Sequence, residues 1–280
     1  MKIFHPLKNP ASWRRISIAV WNAPNDPTVY GKLEIDATAA LAHLEKLNRG
    51  GSATGDSPVK ITMTHLAARA IALTLHKFPD INGIIKWKKI YLRKTVDIFL
   101  QVAIEEGNEG ERPDLSGAKI DACENKSVVQ IARELKDKSG QIRRKEDPQF
   151  KATIRLLNLV PTFLLSWVIR FLTFLNYNLG VNLTGLGVPR DPFGSVMITS
   201  VGSLGMPPGY APLVPISRVP IIVCVGQVAE KPWVAAGAVV VRPILELKFT
   251  FDHRFIDGLT GSRMAKYFRE LLENPSDNLL

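Results

Sequence analysis

Between residues 219 and 272 the chain offers three β-rich runs, 219–228, 234–241 and 244–251, with no helix between them, and then one helix-like segment at 259–272. This succession constrains the chain most, because strands must find strand neighbours and the helix has to begin almost where the last strand stops. That last strand ends on Asp252-His253-Arg254 and runs into Phe255-Ile256-Asp257-Gly258. A strand therefore delivers His253 to an edge, and histidine is the side chain that takes and returns a proton near neutral pH. Asp257 is close enough in sequence to hold the local turn, and Gly258 frees the backbone where strand becomes helix.

A chain of 280 residues with 46% apolar content can bury a real core, as one large domain or two small ones. The first ten residues are polar and hold two prolines, so they do not read as a secretion signal, and a cytoplasmic location is expected. Two cysteines far apart, Cys123 and Cys224, predict reduced thiols rather than a disulfide framework, and Cys224 inside a Val/Ile run reads as a buried, inert one. The net charge of +10 is scattered over Lys86, Lys88, Lys89, Arg93 and Lys94 around one hairpin and over Arg143, Arg144, Lys145, Lys151 and Arg155. No nucleic-acid motif accompanies it, so a solvated basic surface is expected, with attraction of an anionic substrate or of acidic lipid headgroups as the second reading. His65 and His76 have no acidic or cysteine partner at ligand spacing, which predicts no metal site. The GxSxG, GxGxxG and P-loop signatures are absent, against hydrolase, dinucleotide and NTPase readings.

In chain order, residues 29–35 alternate as a strand and 36–48 read as a helix, followed by a Gly- and Ser-rich loop at 49–56. Residues 61–79 carry a helical apolar period, then come strands at 84–87, 90–93 and 96–104, and an amphipathic helix at 127–138 with Ser127 as N-cap. Residues 195–200 alternate as a strand ending in Thr199-Ser200.

The FDHRFIDG core, the helix that follows it and ends Leu271-Leu272-Glu273-Asn274-Pro275, and the FPDING turn at 78–83 resemble the catalytic domain of the dihydrolipoamide acyltransferases. These are the core components of 2-oxoacid dehydrogenase complexes and share their fold with chloramphenicol acetyltransferase. The resemblance implies an α/β (α+β) two-layer sandwich and a homotrimer, or a higher assembly of trimers, with each active site at a subunit boundary. It implies His253 as general base, Thr199 of a neighbouring chain as oxyanion donor with Ser200 beside it, and Asp257 held by Arg15 as support for the loop. The expected reaction moves an acyl group between coenzyme A, a substrate rather than a resident cofactor, and a thiol or hydroxyl acceptor. The match begins almost at Met1, so no lipoyl or peripheral-subunit-binding domain and no covalent lipoyl group are expected on this chain. A lipoyl-bearing partner would act in trans, and no nucleic acid is involved.

Two stretches depart from the family. Residues 108–120 are polar and charged where the acyltransferases carry an apolar run along the substrate channel, which changes the wall an acceptor would meet. Residues 156–175, within an insertion at 150–190, form the most apolar segment of a single domain that covers 1–280. Arg170 and Pro161 and a short uninterrupted run argue against a membrane span. On a helix, Asn158, Thr162, Ser166 and Arg170 make one narrow polar stripe. The broad apolar face left over is buried in the domain or its assembly, which is the first expectation, or covers a ligand channel, or lies in a membrane interface. The rival to an enzyme is a scaffold of weak catalysis, assembled through the trimer and this helix or held at a membrane periphery.

Overall fold

The computed structural model describes residues 4–6, 8, 26–50, 59–104, 114–144, 160–275 and 279. Six strands form one mixed sheet: β2 (Thr28–Asp36), β5 (Ile98–Ile104), β6 (Asp114–Ile120), β7 (Val196–Ser200), β8 (Ile221–Ala235) and β9 (Ala238–Asp252), in the order β2-β9-β8-β7-β5-β6. β7 runs parallel to both β5 and β8, and every other pairing is antiparallel. A smaller antiparallel sheet joins β1 (Phe4–Pro6), β4 (Lys89–Arg93) and β3 (Gly83–Lys86).

Four helices cover one face of the large sheet: α1 (Thr38–Gly50), α2 (Met63–Lys77), α3 (Val128–Arg143) and, after α4 (Thr162–Thr173), α5 (Gly258–Glu273). Their apolar stripes meet alternate strand residues in one core. Leu66, Ile71 and Leu75 of α2, Ile131 of α3 and Phe268 and Leu272 of α5 pack with Ile35, Ile98, Ile198, Val223 and Leu247. Burying each such side chain contributes about 1.5–3 kcal/mol, so this layer dominates the stability of the domain. The helix starts are set locally: Ser127 accepts the Gln130 N–H at 3.2 Å while the Gln130 side chain accepts the Ser127 N–H at 2.8 Å, a reciprocal cap for α3. His65 does the corresponding work for α2, its Nδ1 accepting the Thr62 N–H at 3.0 Å.

The opposite face of the sheet carries a small cluster of Met197, Val219 and Ile222 and a ladder of ions. Lys231 bridges Glu34 at 2.9 Å and Glu246 at 2.8 Å, with Lys248 also on Glu246 at 2.8 Å. Hydrogen bonds from Lys231 and then Lys248 hold the Glu246 carboxyl down to about 2.

Several expectations change here. Residues 219–251 hold two long strands rather than three short ones, because the turn falls at Ala236 (φ 50°) and Gly237 (φ 80°), and Pro232 and Pro243 sit within paired strands without breaking them. The polar stretch at 108–120 is an edge strand from residue 114 onward, paired to β5, while residues 108–113 lie outside the described residues. The apolar segment is helical over Thr162–Thr173 and continues as a π-helical turn, Phe174–Leu179, closed by Gly180 in the left-handed region (φ 69°). Among the described residues its outer face stands open: Leu164, Trp167, Phe171 and Phe174 are exposed. Of the first expectation for this helix, burial in the domain or its assembly, the part that concerns its own domain does not hold for that face. Among the described residues no helix is long and apolar enough to cross a membrane.

Candidate active site

β9 ends at Asp252, and the next five residues are held tightly. Asp252 is buried, its N–H donates to Pro220 O at 2.9 Å, and its carboxylate receives Arg254 through Nε at 2.9 Å and Nη2 at 2.7 Å. Phe255 and Ile256 turn inward and are almost fully buried, which anchors the loop in the core. His253, half-buried, is pinned at its backbone by donation to Pro27 O at 2.8 Å. Asp252 and Arg254, which flank the histidine in the motif, hold the loop in shape, a part the sequence reading did not give them.

The His253 ring is held at Nδ1. Nδ1 lies 2.7 Å from the Ile256 carbonyl oxygen. A carbonyl only accepts, so Nδ1 carries the proton and Nε2 is the basic nitrogen of the neutral ring. The loop thus fixes both the orientation of the imidazole and its tautomer, the two properties a general base requires.

Asp257 is the N-cap of α5: its Oδ1 accepts the Thr260 N–H at 2.7 Å. Arg15, its expected partner, lies outside the described residues. Gly258 opens α5, but its backbone is not in the left-handed region and a Cβ there would meet nothing within 4 Å. The conformational reason expected for a glycine at 258 is therefore absent.

Thr199 stands near the C-terminal end of β7, half-buried, on the sheet face opposite the helices. Ser200 points the other way, its Oγ accepting from Thr64 Oγ1 at 3.1 Å and tying β7 to the first turn of α2. Beyond β7 the chain returns across β8 with backbone against backbone: a Cβ on Gly202 would lie 2.5 Å from Gly226 O, and one on Gly226 would lie 2.4 Å from Pro208 Cδ. Only glycine fits at these two positions, beside the irregularity of β8 between Val225 and Val228.

Within one chain Thr199 and His253 do not meet. Thr199 is level with Cys224 and through it with Lys248, four residues before the last strand residue, Asp252. That offset corresponds to about 13 Å along the strands and about 10 Å across two strand spacings. Neither side chain spans it. A cavity of about 310 Å3 lies between β2, β9, α2 and α5, lined mainly by apolar side chains such as Ile71, Phe249, Met264 and Phe268; neither His253 nor Thr199 lines it. It belongs to the packing of the helix layer rather than to the chemistry. Cys224 and Cys123 are buried, and desolvation raises both thiols, Cys123 to about 12, so neither is a nucleophile. Burial lowers His65 to about 4, which keeps it neutral as a cap. Among the described residues, no three His, Cys, Asp or Glu side chains gather as a metal site.

A mixed sheet with helices on one face defines a two-layer α/β sandwich, and the fold of solved structures agrees. The cubic core of the pyruvate dehydrogenase multienzyme complex superposes with a TM-score of 0.66 at 21% identity, covering 100% of this chain and 93% of that one. A chloramphenicol acetyltransferase does so at 0.52 and 12% identity, covering 96% and 99%. The family model described as 2-oxoacid dehydrogenases acyltransferase (catalytic domain) matches residues 13–148 and 193–280, and the chain belongs to that family. The acetyltransferase component of the pyruvate dehydrogenase complex of Bacillus subtilis is 24% identical over 245 residues, 86% of this chain and 44% of that protein. The chain spans about half the length of the curated relatives it matches. Residues 149–192, which contain α4, lie between the two matched stretches.

Proposed function

We propose that this chain transfers an acyl group between coenzyme A and a thiol acceptor such as a dihydrolipoyl group carried in trans, with His253 as general base. The observation that carries the reading is the hydrogen bond from His253 Nδ1 to the Ile256 carbonyl, which presents Nε2 as the proton acceptor. Nε2 takes the proton of the acceptor thiol as its sulfur attacks the thioester carbonyl carbon. The tetrahedral oxyanion accepts a hydrogen bond from the Thr199 hydroxyl. The bond between carbon and the coenzyme A sulfur then breaks, and the imidazolium returns its proton to the departing thiolate.

Because Thr199 and His253 of one chain stand too far apart to touch one reacting group, the site is completed between copies, as in a homotrimer or an assembly of trimers. The β8–β9 arm supports this, since Val234, Val239 and Val241 are exposed on it and offer an apolar edge to a neighbour. A cytoplasmic setting, where coenzyme A thioesters and reduced lipoyl groups coexist, fits the chemistry.

The test is release of free thiol from acetyl-coenzyme A with dihydrolipoamide as acceptor. His253→Ala is expected to lower kcat by about 10²–10⁴ and Thr199→Val by about 10²–10³, with Thr199→Ser close to the parent. Co-assembled His253→Ala and Thr199→Val chains are expected to regain activity, since one boundary then holds an intact pair. Parental rates in His253→Ala would remove the catalytic assignment, and no recovery on mixing would remove the shared site.

A further inference from the structure

α4 and the tip of the β3–β4 hairpin form one surface. The Trp87 indole N–H donates to Asn178 O at 3.2 Å, and its ring meets Phe174 edge-on with centroids 5.7 Å apart. Arg218 fastens the two elements from beneath, donating to Ile85 O at 3.2 Å and Asn178 Oδ1 at 2.8 Å. On this fixed surface Trp167 is 69% exposed, Phe171 60% and Trp87 55%, values that belong to side chains facing away from their own core. Leu164, Trp167, Phe171 and Phe174 follow one another at helical spacing and so share one side of α4, with exposed Arg170 beside them.

The charge around this patch has one sign. Residues 83–96 and 160–219 contain eight lysines and arginines and a single acid, Asp191, which is buried in a bidentate pair with Arg93 at 2.6 and 3.0 Å. Lys88 and Lys89 are exposed at the hairpin tip beside Trp87. The tip itself is strained: Trp87 (φ 53°) and Lys88 (φ 57°) both occupy the left-handed region, in a turn that Asn-Gly would make without strain.

We propose that this surface docks flat on an anionic lipid bilayer, with α4 lying in the headgroup region, the aromatic side chains reaching the acyl boundary, and Arg170, Lys88 and Lys89 meeting the phosphates. Tryptophan beside lysine and arginine is the side-chain set that interfaces of this kind favour. A second copy is the poorer occupant, because two such faces related by a twofold axis would set cations against cations. α4 is also too short to span.

The experiment is co-sedimentation of the full chain with vesicles of phosphatidylcholine alone and of phosphatidylcholine mixed with phosphatidylserine. Binding to the mixed vesicles only, a shift of tryptophan emission to shorter wavelength, and release by added salt are expected. Trp167→Ser with Phe171→Ser is expected to weaken binding about tenfold or more. Lys88→Glu with Lys89→Glu is expected to do the same and to abolish the preference for phosphatidylserine. Acyl transfer in solution should be parental in both, which separates this test from that of His253. If the aromatic double variant does not fold, the lysine variant, altered only at exposed side chains, carries the test. No binding of the parent to phosphatidylserine vesicles, or equal binding by parent and lysine variant, would overturn the proposal. So would a larger parental assembly, by sedimentation velocity, that the aromatic variant dissociates.

Discussion

At the end of β9 the large apolar side chains Phe255 and Ile256 turn into the core and leave a single titratable ring half-exposed, whereas on α4 Trp167 and Phe171 turn away from it. Both segments mix apolar residues with basic ones. In the first, the apolar residues are the foundation and the ionisable ring is displayed. In the second, buried polar groups are the foundation and the aromatic residues are displayed. Tyr177, from the π-helical turn after α4, donates to Asp191 Oδ1 at 3.2 Å, and Asp191 is held by Arg93, so that end of the molecule hangs on a buried ion pair and a phenol. Burial first, then the neighbouring Asp191 charge, push the Tyr177 hydroxyl well above its ordinary value, so it remains a donor at any physiological pH. A hydrophobic foundation tolerates a half-exposed titratable ring, while an ionic foundation frees apolar side chains for outside contact.

Breaking the ionic foundation should have the largest effect on stability. Arg93→Met leaves the Asp191 carboxylate buried without its cation and is expected to cost about 3–5 kcal/mol, measured by chemical unfolding. A loss below about 1 kcal/mol would mean that the α4 end is held in some other way.

The helix layer behind the active site offers a pH test of the hydrophobic foundation. Buried His65 titrates near 4 when folded against 6.5 when exposed. Below about pH 6.5 the unfolded chain takes up a proton that the folded chain refuses, so stability falls as the pH drops toward 4, by up to about 3 kcal/mol. His65→Gln should flatten that part of the profile, and an unchanged slope would count against His65 as its source.

The smallest effect is expected on the displayed face. Phe171→Ser should change unfolding free energy by no more than about 0.5 kcal/mol, because little apolar contact is lost from an exposed position. A drop comparable to that of Arg93→Met would show that the aromatic face is packed against something in solution.

Much of the candidate site could be read from the residues alone. The alternation of β9, the charged group at its end and the helical period of α5 are local patterns, and they placed His253 at a strand end and Asp257 at a helix start. The two-layer architecture came from the resemblance of the FDHRFIDG core and the FPDING turn to the acyltransferase family. The breaks expected around 229–233 and 242–243 fall inside paired strands that hold Pro232 and Pro243, and the real turn, at Ala236 and Gly237, lies within the second expected run.

What the sequence determined by itself is which residues can do chemistry and which elements carry them, since both follow from side-chain type and from periods of two and 3.6 residues. Only the tertiary structure decided three things. The Ile256 carbonyl selects the His253 tautomer, because that choice depends on one distance across a turn. Thr199 and His253 fall apart within one chain, because sheet order and register separate two residues that the family resemblance pairs. The face of α4 that remains outside was also decided there: a helix with apolar residues nearly all round has no preferred inner side until neighbouring elements cover Val168, Ile169 and Leu172 and leave Trp167 and Phe171 exposed.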